Sequence, residues 1–415
     1  MRHPEIRVAR GALTALVLCL PLSISGAQIA LGVALAALVV GEVRGAGRLR
    51  RLPLGRQLAL VLLAFLLSTL GGGISWGAVD AYRELWIAGT FVAAAALVED
   101  AEDGARLARL LVLCAAAVAV YGIVQHFTGI DAYRSLLGRR PKVRPYEHDP
   151  TRFAIVGFFP NYLTYAHSLV VPLGWALAGI LAGGGWIVGR RLAALSGLLM
   201  GTALVLSTAR GAWIAAGAML IGAMLGSASR ARLAIVAGGV VVTLVLFGLS
   251  PGLRSEARSV LDLRANAGRL AIYAANVDAI RDHPILGLGL GNYDRKMVEY
   301  YARHPTADRR SHAHNSFLQV TAESGLVGLA AFCALFGTVL LRGWKVMGRL
   351  RTAGSPQWAT AAGAWLGVVG FLTGGLTQHT FGDSECAMAM WLAVGVLLAV
   401  WRKSEDDAAI AHPAR

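Results

Sequence analysis

Residues 311–341 read SHAHNSFLQVTAESGLVGLAAFCALFGTVLL. The segment opens on a polar cluster, His312, His314 and Asn315, and continues as an apolar run long enough to cross a bilayer core. Runs of this kind recur along the whole chain. Of its 415 residues, 56% are hydrophobic and 15% charged, where a soluble protein carries about 25% charged residues. Mean hydropathy is +0.58. The reading is an all-α polytopic membrane protein of about 12 transmembrane helices. The spans are expected near 9–24, 27–42, 56–71, 76–98, 106–127, 158–182, 190–206, 210–226, 231–249, 313–341, 358–379 and 386–402.

Working outward from residue 311, the polar cluster closes a long hydrophilic stretch, 250–312. Within it, Leu270, Tyr273, Ala274, Val277 and Ile280 recur at helical spacing, which predicts a helix over 267–282. Asn266 is placed to cap its start, and Pro284 ends it by disfavouring helical geometry at His283. The alternating glycines Gly287, Gly289 and Gly291 predict a turn whose backbone comes close to another segment. A second helix is expected near 292–303. The stretch therefore reads as a folded helical periplasmic loop between spans 9 and 10. Four parts follow: 1–157, N-terminal spans and a first basic outer loop; 158–249, spans carrying Arg210; 250–312, the helical cap; 313–415, the last spans and a short tail.

Orientation follows from basic residues in short loops. Loops 43–56, 183–191, 227–232 and 342–357 are basic and read as inside. Loop 99–105 is the exception, with Glu99, Asp100, Glu102 and Asp103. This leaves two longer basic loops outside. Loop 128–157 holds Arg134, Arg139, Arg140, Lys142, Arg144 and Arg152, and 250–312 carries ten Lys or Arg against seven acids. Basic charge on that side opposes the topology rule. An anionic substrate such as a pyrophosphate would retain it, although long loops also translocate whatever their charge.

The net charge of +15 and pI near 10.3 belong mostly to these loops. No nucleic-acid module is visible, so no nucleic-acid partner is expected; membrane lipids are. Cys19, Cys114, Cys333 and Cys386 are far apart in or beside apolar runs, and read as buried structural thiols. Arg2, Arg7 and Arg10 precede an apolar run in the manner of a signal peptide, but the next run follows at once. An uncleaved first span is the expectation.

Several residues are candidates for chemistry. His314 has the proton affinity of a general base near neutral pH and lies at the mouth of a span. The competing reading is a hydrogen-bonded structural histidine. His312, two residues away, shares a side with His314 only on an extended segment. The pair could be half of a metal site, but no HExxH-type helical pair is present, and neither metal nor cofactor is expected. Arg210, in LSTARGAW between two apolar runs, sits at a membrane boundary, where it wants an anionic partner such as phosphate or else snorkels to head groups. Arg269 opens the loop helix, facing either the membrane surface or solvent. His379, Asp383 and Glu385, in TQHTFGDSE, lie on the same face as His314. A carboxylate there could orient the base; a polar turn with a helix cap is the plainer alternative.

Three stretches together resemble the O-antigen ligase superfamily. His314-Asn315, nine residues, Gly325, two residues and Gly328 are similar to its H-N-x9-G-x-x-G signature. Ser207-Thr-Ala-Arg210-Gly, and Arg269 to Tyr273 leading into HPILGLGLGNY (283–293), are similar to its shared domain. The likeness covers roughly 190–390. It implies a metal-independent inverting transfer of a glycan from undecaprenyl pyrophosphate to a sugar hydroxyl, on the periplasmic face of the inner membrane. His314 would be the general base, and Arg210 and Arg269 would bind the donor pyrophosphate. His312, Asn315, His379 and Asp383 would support them.

The acceptor separates the members of that superfamily. A ligase uses lipid A–core, the expectation favoured here, and a polymerase uses another lipid-linked glycan. The protein-directed transferases usually carry a longer C-terminal soluble region than the thirteen residues after Arg402. A transporter or flippase would favour internal repeats and broken helices near the midplane; no repeat is seen in the sequence.

Overall fold

Inside a bilayer no water is available to backbone N–H and C=O groups, so an apolar chain crosses as helices that satisfy themselves. The computed structural model follows that rule. It describes residues 3–49, 52–146, 149–182, 189–226, 231–249, 253–255, 258, 262, 264, 266–307, 311–350 and 356–411. Arg2, Arg50, Arg51, Glu147, Arg230, Glu256, Asp308, Arg309, Arg310 and Arg351, which entered the charge reading, lie outside the described residues, as does 183–188.

The first helices are α1 (Pro4–Cys19), α2 (Ile24–Val43), α3 (Gly55–Gly72), α4 (Trp76–Glu84), α5 (Gly89–Leu97) and α6 (Ala101–Thr128). A short α7 (Ala132–Leu136) and an antiparallel hairpin, β1 (Pro145–Tyr146) with β2 (Asp149–Phe153), follow. Next come α8 (Tyr162–Ser168), α9 (Val170–Ala182), α10 (Arg190–Leu206), α11 (Arg210–Gly226) and α12 (Ala231–Leu249). The rest are α13 (Ala267–Asp282), α14 (Tyr293–Ala302), α15 (Ser316–Leu350), α16 (Pro356–Gly374) and α17 (Ser384–Ala411).

Among the described residues, six stretches are long and apolar enough to cross a membrane: Ile24–Val43, Gly55–Gly72, Ala101–Thr128, Tyr162–Ala182, Ser316–Leu350 and Ser384–Asp407. The single span expected at 76–98 is instead broken. Asp80, Arg83 and Glu84 charge its first half, which forms α4, and a 3-10 turn at Leu85–Ala88 separates this from the buried apolar α5. Tyr162–Ala182 and Ser384–Asp407 are central, each 83% buried, whereas Gly55–Gly72 is peripheral at 22%. α9 and α16 pack through glycine. A Cβ added at Gly174 would lie 2.6 Å from both Gly363 O and Gly367 N. Such close approach is how helices associate where apolar burial drives little.

At one end of the bundle, Glu99 pairs with Arg10 (2.6 Å) and Arg48 (2.5 Å). The acidic loop that broke the charge pattern thus ties two basic segments together. Toward the other end, Arg134 of the basic stretch 128–157 is buried against Asp131 (2.9 Å) and donates to Gly157 O and Phe159 O. Its charge is met inside the protein. Of the four cysteines only Cys386 is buried, and Cys333 is exposed. The expectation of four buried thiols is corrected: Cys333 lies on an outward face of α15.

α13 and α14 share a small core of Ile272, Ala275, Ala279, Tyr293, Met297 and Tyr300. Asn266 stands at the start of α13 but makes no capping bond; its side-chain amide donates to Asp262 O (2.8 Å). Between the two helices, segment 283–292 threads into a break in α15. At Gly325 the backbone leaves helical geometry (φ 65°, ψ −168°). Carbonyls freed before the break accept from the loop, Leu288 N to Ala322 O (2.8 Å) and Gly289 N to Glu323 O (2.9 Å). Amides freed after it donate back, Leu326 N to Pro284 O (2.8 Å) and Val327 N to Ile285 O (3.3 Å). The Glu323 side chain accepts from Gly291 N (3.0 Å). Gly287, Gly289 and Gly291 all have positive φ. A Cβ at Gly287 would lie 2.5 Å from Glu323 O, one at Gly289 2.8 Å from Gly72 Cα, and one at Gly291 would strike Gly77 O. The alternate glycines let backbone meet backbone on three sides.

Candidate active site

The Asn315 side chain starts α15 by accepting from Phe317 N (2.9 Å) and Leu318 N (3.1 Å), satisfying two of the orphan donors every helix start carries. His314 immediately precedes this cap and has φ +49°, an uncommon conformation for a residue with a side chain. Neighbours hold it there. Ala313 N donates to Gln319 Oε1 (2.8 Å), Ser316 N to Gly375 O (2.7 Å), and Tyr273 O–H to His314 O (3.3 Å). Strain fixed from several sides is the pattern of a positioned functional group.

The His314 ring meets Gln378, with Nδ1 3.0 Å from Oε1. An amide oxygen only accepts, so this bond puts a proton on Nδ1. His312 lies against it, with ring centroids 4.3 Å apart, and its Nδ1 accepts from His314 N (3.2 Å). The two rings share a side because the segment is not helical. His379 is the third imidazole, 5.8 Å from His312. Burial, then the neighbouring His312 and His314, push its pKa down to about 3, so it is neutral near pH 7. Among the described residues, no three metal-ligating side chains converge as a metal site would require.

Gln378 also lines an open polar pocket of about 100 Å³, together with Arg210, Arg269, Tyr162, His167, Thr208 and Thr377. Four structural choices build it. Asn161 caps α8 by accepting from Thr164 N (2.9 Å). Thr208 turns the chain between α10 and α11 with φ +58°, which puts Arg210 at the start of α11. Gly211 lets that start press on Thr377 Oγ1. α16 ends at Gly374, five residues before the span expected to 379, leaving Thr377 and Gln378 in a turn.

The structure thus brings together His314, His312, Asn315, Arg210 and Arg269, with His379 at the edge of the histidine cluster. Asp383 is placed elsewhere: its Oδ1 accepts from Thr164 Oγ1 (2.9 Å), and the amide of Gln378 occupies the position at His314 expected of a carboxylate. Burial pushes Asp383 up to about 6, and Glu385 adds to this, while the Thr164 bond opposes it. The sequence reading missed Gln378, Tyr273 and His167. His167 carried the clearest signal, an ionisable residue inside an apolar run. Tyr273 was counted with an apolar stripe, and Gln378 is uncharged.

The chain is a multi-pass helical membrane protein with imidazoles and guanidiniums gathered at one end of the bundle. Residues 195–333, which include Arg210, Arg269, His314 and both motif glycines, match the family model described as O-Antigen ligase. The match covers about a third of the chain and makes that part of it similar to the O-antigen ligases. The sequence has no significant match among curated proteins.

Proposed function

We propose that this protein is an O-antigen ligase: a metal-independent, inverting transferase that moves a glycan from undecaprenyl pyrophosphate to a hydroxyl of lipid A–core, on the periplasmic side of the inner membrane. The observation that carries it is Gln378. One side chain holds His314 and lines the pocket that contains both arginines. A base and an anion site with a shared wall are what such a displacement needs.

In the proposed reaction, His314 Nε2 takes the proton of the acceptor hydroxyl. The acceptor oxygen attacks the anomeric carbon of the donor sugar as its bond to the pyrophosphate oxygen breaks on the opposite face. The electron pair of that bond leaves on undecaprenyl pyrophosphate. Arg210 and Arg269 meet the charge that develops there, through donors already aimed at it. The imidazolium formed at His314 is stabilised by its bond to Gln378 Oε1, which also keeps the Nδ1–H tautomer in register. Arginine suits the leaving group because its planar fork bonds two phosphate oxygens at once.

The test uses purified protein in EDTA with an undecaprenyl-pyrophosphate glycan, supplied with lipid A–core or with further donor alone. Product on lipid A–core that disappears in His314→Ala is the expected result. A ladder of longer donor glycans in the second tube would make the enzyme a polymerase working through the same base. Undiminished activity in His314→Ala would sink the mechanism.

A further inference from the structure

His167 lies in α8, inside a stretch apolar enough to cross a membrane, and is 1% exposed. Its Nδ1 is 2.9 Å from Leu163 O, a carbonyl of its own helix, so Nδ1 carries the hydrogen. That leaves Nε2, which is buried and has no hydrogen-bond partner. Nε2 faces the start of α11. A Cβ built at Gly211, the residue after Arg210, would sit 3.5 Å from it, and one at Gly374 3.1 Å. His167 also lines the pocket that contains Arg210 and Arg269. A histidine whose role was structural packing would give its second nitrogen a fixed partner; this one leaves it unpaired between Gly211 and Gly374, in a residue that also lines the polar pocket.

We propose that His167 is a third phosphate ligand of that pocket and that it becomes protonated as the ligand binds. The inference rests on reading the pocket as the diphosphate site. A neutral imidazole with its hydrogen on Nδ1 can only accept at Nε2, and a diphosphate diester has no hydrogen to give. Contact between them is therefore favourable only when His167 gains a proton from solution and donates from Nε2 to a phosphate oxygen. Burial explains why this waits for the ligand: a charged imidazole taken out of water is costly until a negative charge lies beside it. Arg210 and Arg269 line the same pocket. Behind α8, Asp383 reaches Thr164 on the same helix, with Glu385 two residues further on, and His314 stands beyond Gln378. Binding of the donor would then be coupled to uptake of a proton.

The experiment measures binding of a P1,P2-dialkyl diphosphate, whose own charge is fixed between pH 5.5 and 8.5, to the full chain in lipid nanodiscs. Wild-type affinity should fall about tenfold for each unit that pH rises between the free-state and bound-state pKa of the histidine, the slope of one linked proton. Calorimetry in two buffers of different ionisation heat should count about one proton taken up per ligand, without needing any variant. His167→Gln should bind more weakly with a flat profile, while His314→Ala keeps the wild-type slope. A flat wild-type profile with no proton uptake overturns the proposal while leaving the diphosphate site intact. A slope that survives in His167→Gln and vanishes in His314→Ala assigns the proton to the other histidine and overturns it too. Equal failure of wild type and Arg210→Ala to bind would overturn the diphosphate reading itself, and this inference with it.

Discussion

Replacing Gln378 with leucine keeps much of the volume and removes the acceptor at His314 Nδ1. In the resting protein that bond joins two neutral groups at 3.0 Å, worth about 1 kcal/mol. As His314 takes the acceptor's proton the same bond becomes charge-assisted, worth about 1.5–3 kcal/mol. Only the increase accelerates the reaction. The expected loss is therefore about 0.5–2 kcal/mol, roughly 2- to 30-fold in kcat. Single-turnover transfer from a lipid-linked donor would measure it, with size-exclusion behaviour confirming that the variant folds. Gln378→Glu supplies the companion result. A carboxylate beside the imidazole favours its charged form, raising its pKa, so the acid limb of kcat/KM moves to higher pH while activity persists. A leucine variant within twofold of wild type, or a loss confined to KM, would refute the argument that this amide positions and stabilises the base.

Other perturbations test the scaffold. Gly325→Ala places a methyl against Ile285 O at φ +65°; it should cost about 1–3 kcal/mol and lower the thermal midpoint in detergent, with an unchanged midpoint contradicting the clasp. Arg134→Ala leaves Asp131 buried without its partner and should cost about 3–5 kcal/mol; adding Asp131→Asn should recover part of it in the same thermal assay. Asp383 has a folded pKa near 6, above its ordinary 3.8, so the native state holds the proton more tightly than the unfolded chain. Its contribution is most favourable below pH 3.8 and is lost as pH rises through about 6. Asp383→Asn should therefore melt higher than wild type at pH 8, with the two converging near pH 4.

What could be read from the chain was whatever periodicity and composition record. The helices and the loop elements at Ala267–Asp282 and Tyr293–Ala302 follow from apolar spacing and from Pro284. The glycines 287, 289 and 291 announced a close backbone approach, but not to what, because a glycine specifies permission and not a partner. The partners are Gly72, Gly77 and α15 broken at Gly325, the last a break invisible to hydropathy because apolar residues continue through it. Gln378 went unread for a related reason. Its role depends on α16 stopping at Gly374 and not on its own chemistry. The charges of 76–98 were legible, and weighing Asp80, Arg83 and Glu84 against the apolar remainder would have divided that stretch correctly.

The signature His314-Asn315, nine residues, Gly325, two residues, Gly328 can then be taken as mechanics. Asn315 fixes where α15 starts, and so where His314 is held. Ten residues later, about 15 Å along the helix at 1.5 Å per residue, Gly325 opens the backbone to segment 283–292. Gly328 allows the restarted helix to pass Ser324, whose Oγ would be struck by any Cβ there. Segment 283–292 leads directly back into α13, which carries Arg269 at its start and Tyr273 one turn on, and Tyr273 bonds to His314 O. The glycines therefore close a loop of connections from the base, down α15, through the break and back along α13 to the arginine and to the base itself. On this account the spacing between histidine and glycine sets the distance between His314 and Arg269. Inserting one alanine after Gln319 would advance the helix by about 100° and 1.5 Å, and should abolish transfer even where the bundle still folds and His314 and both arginines are all present.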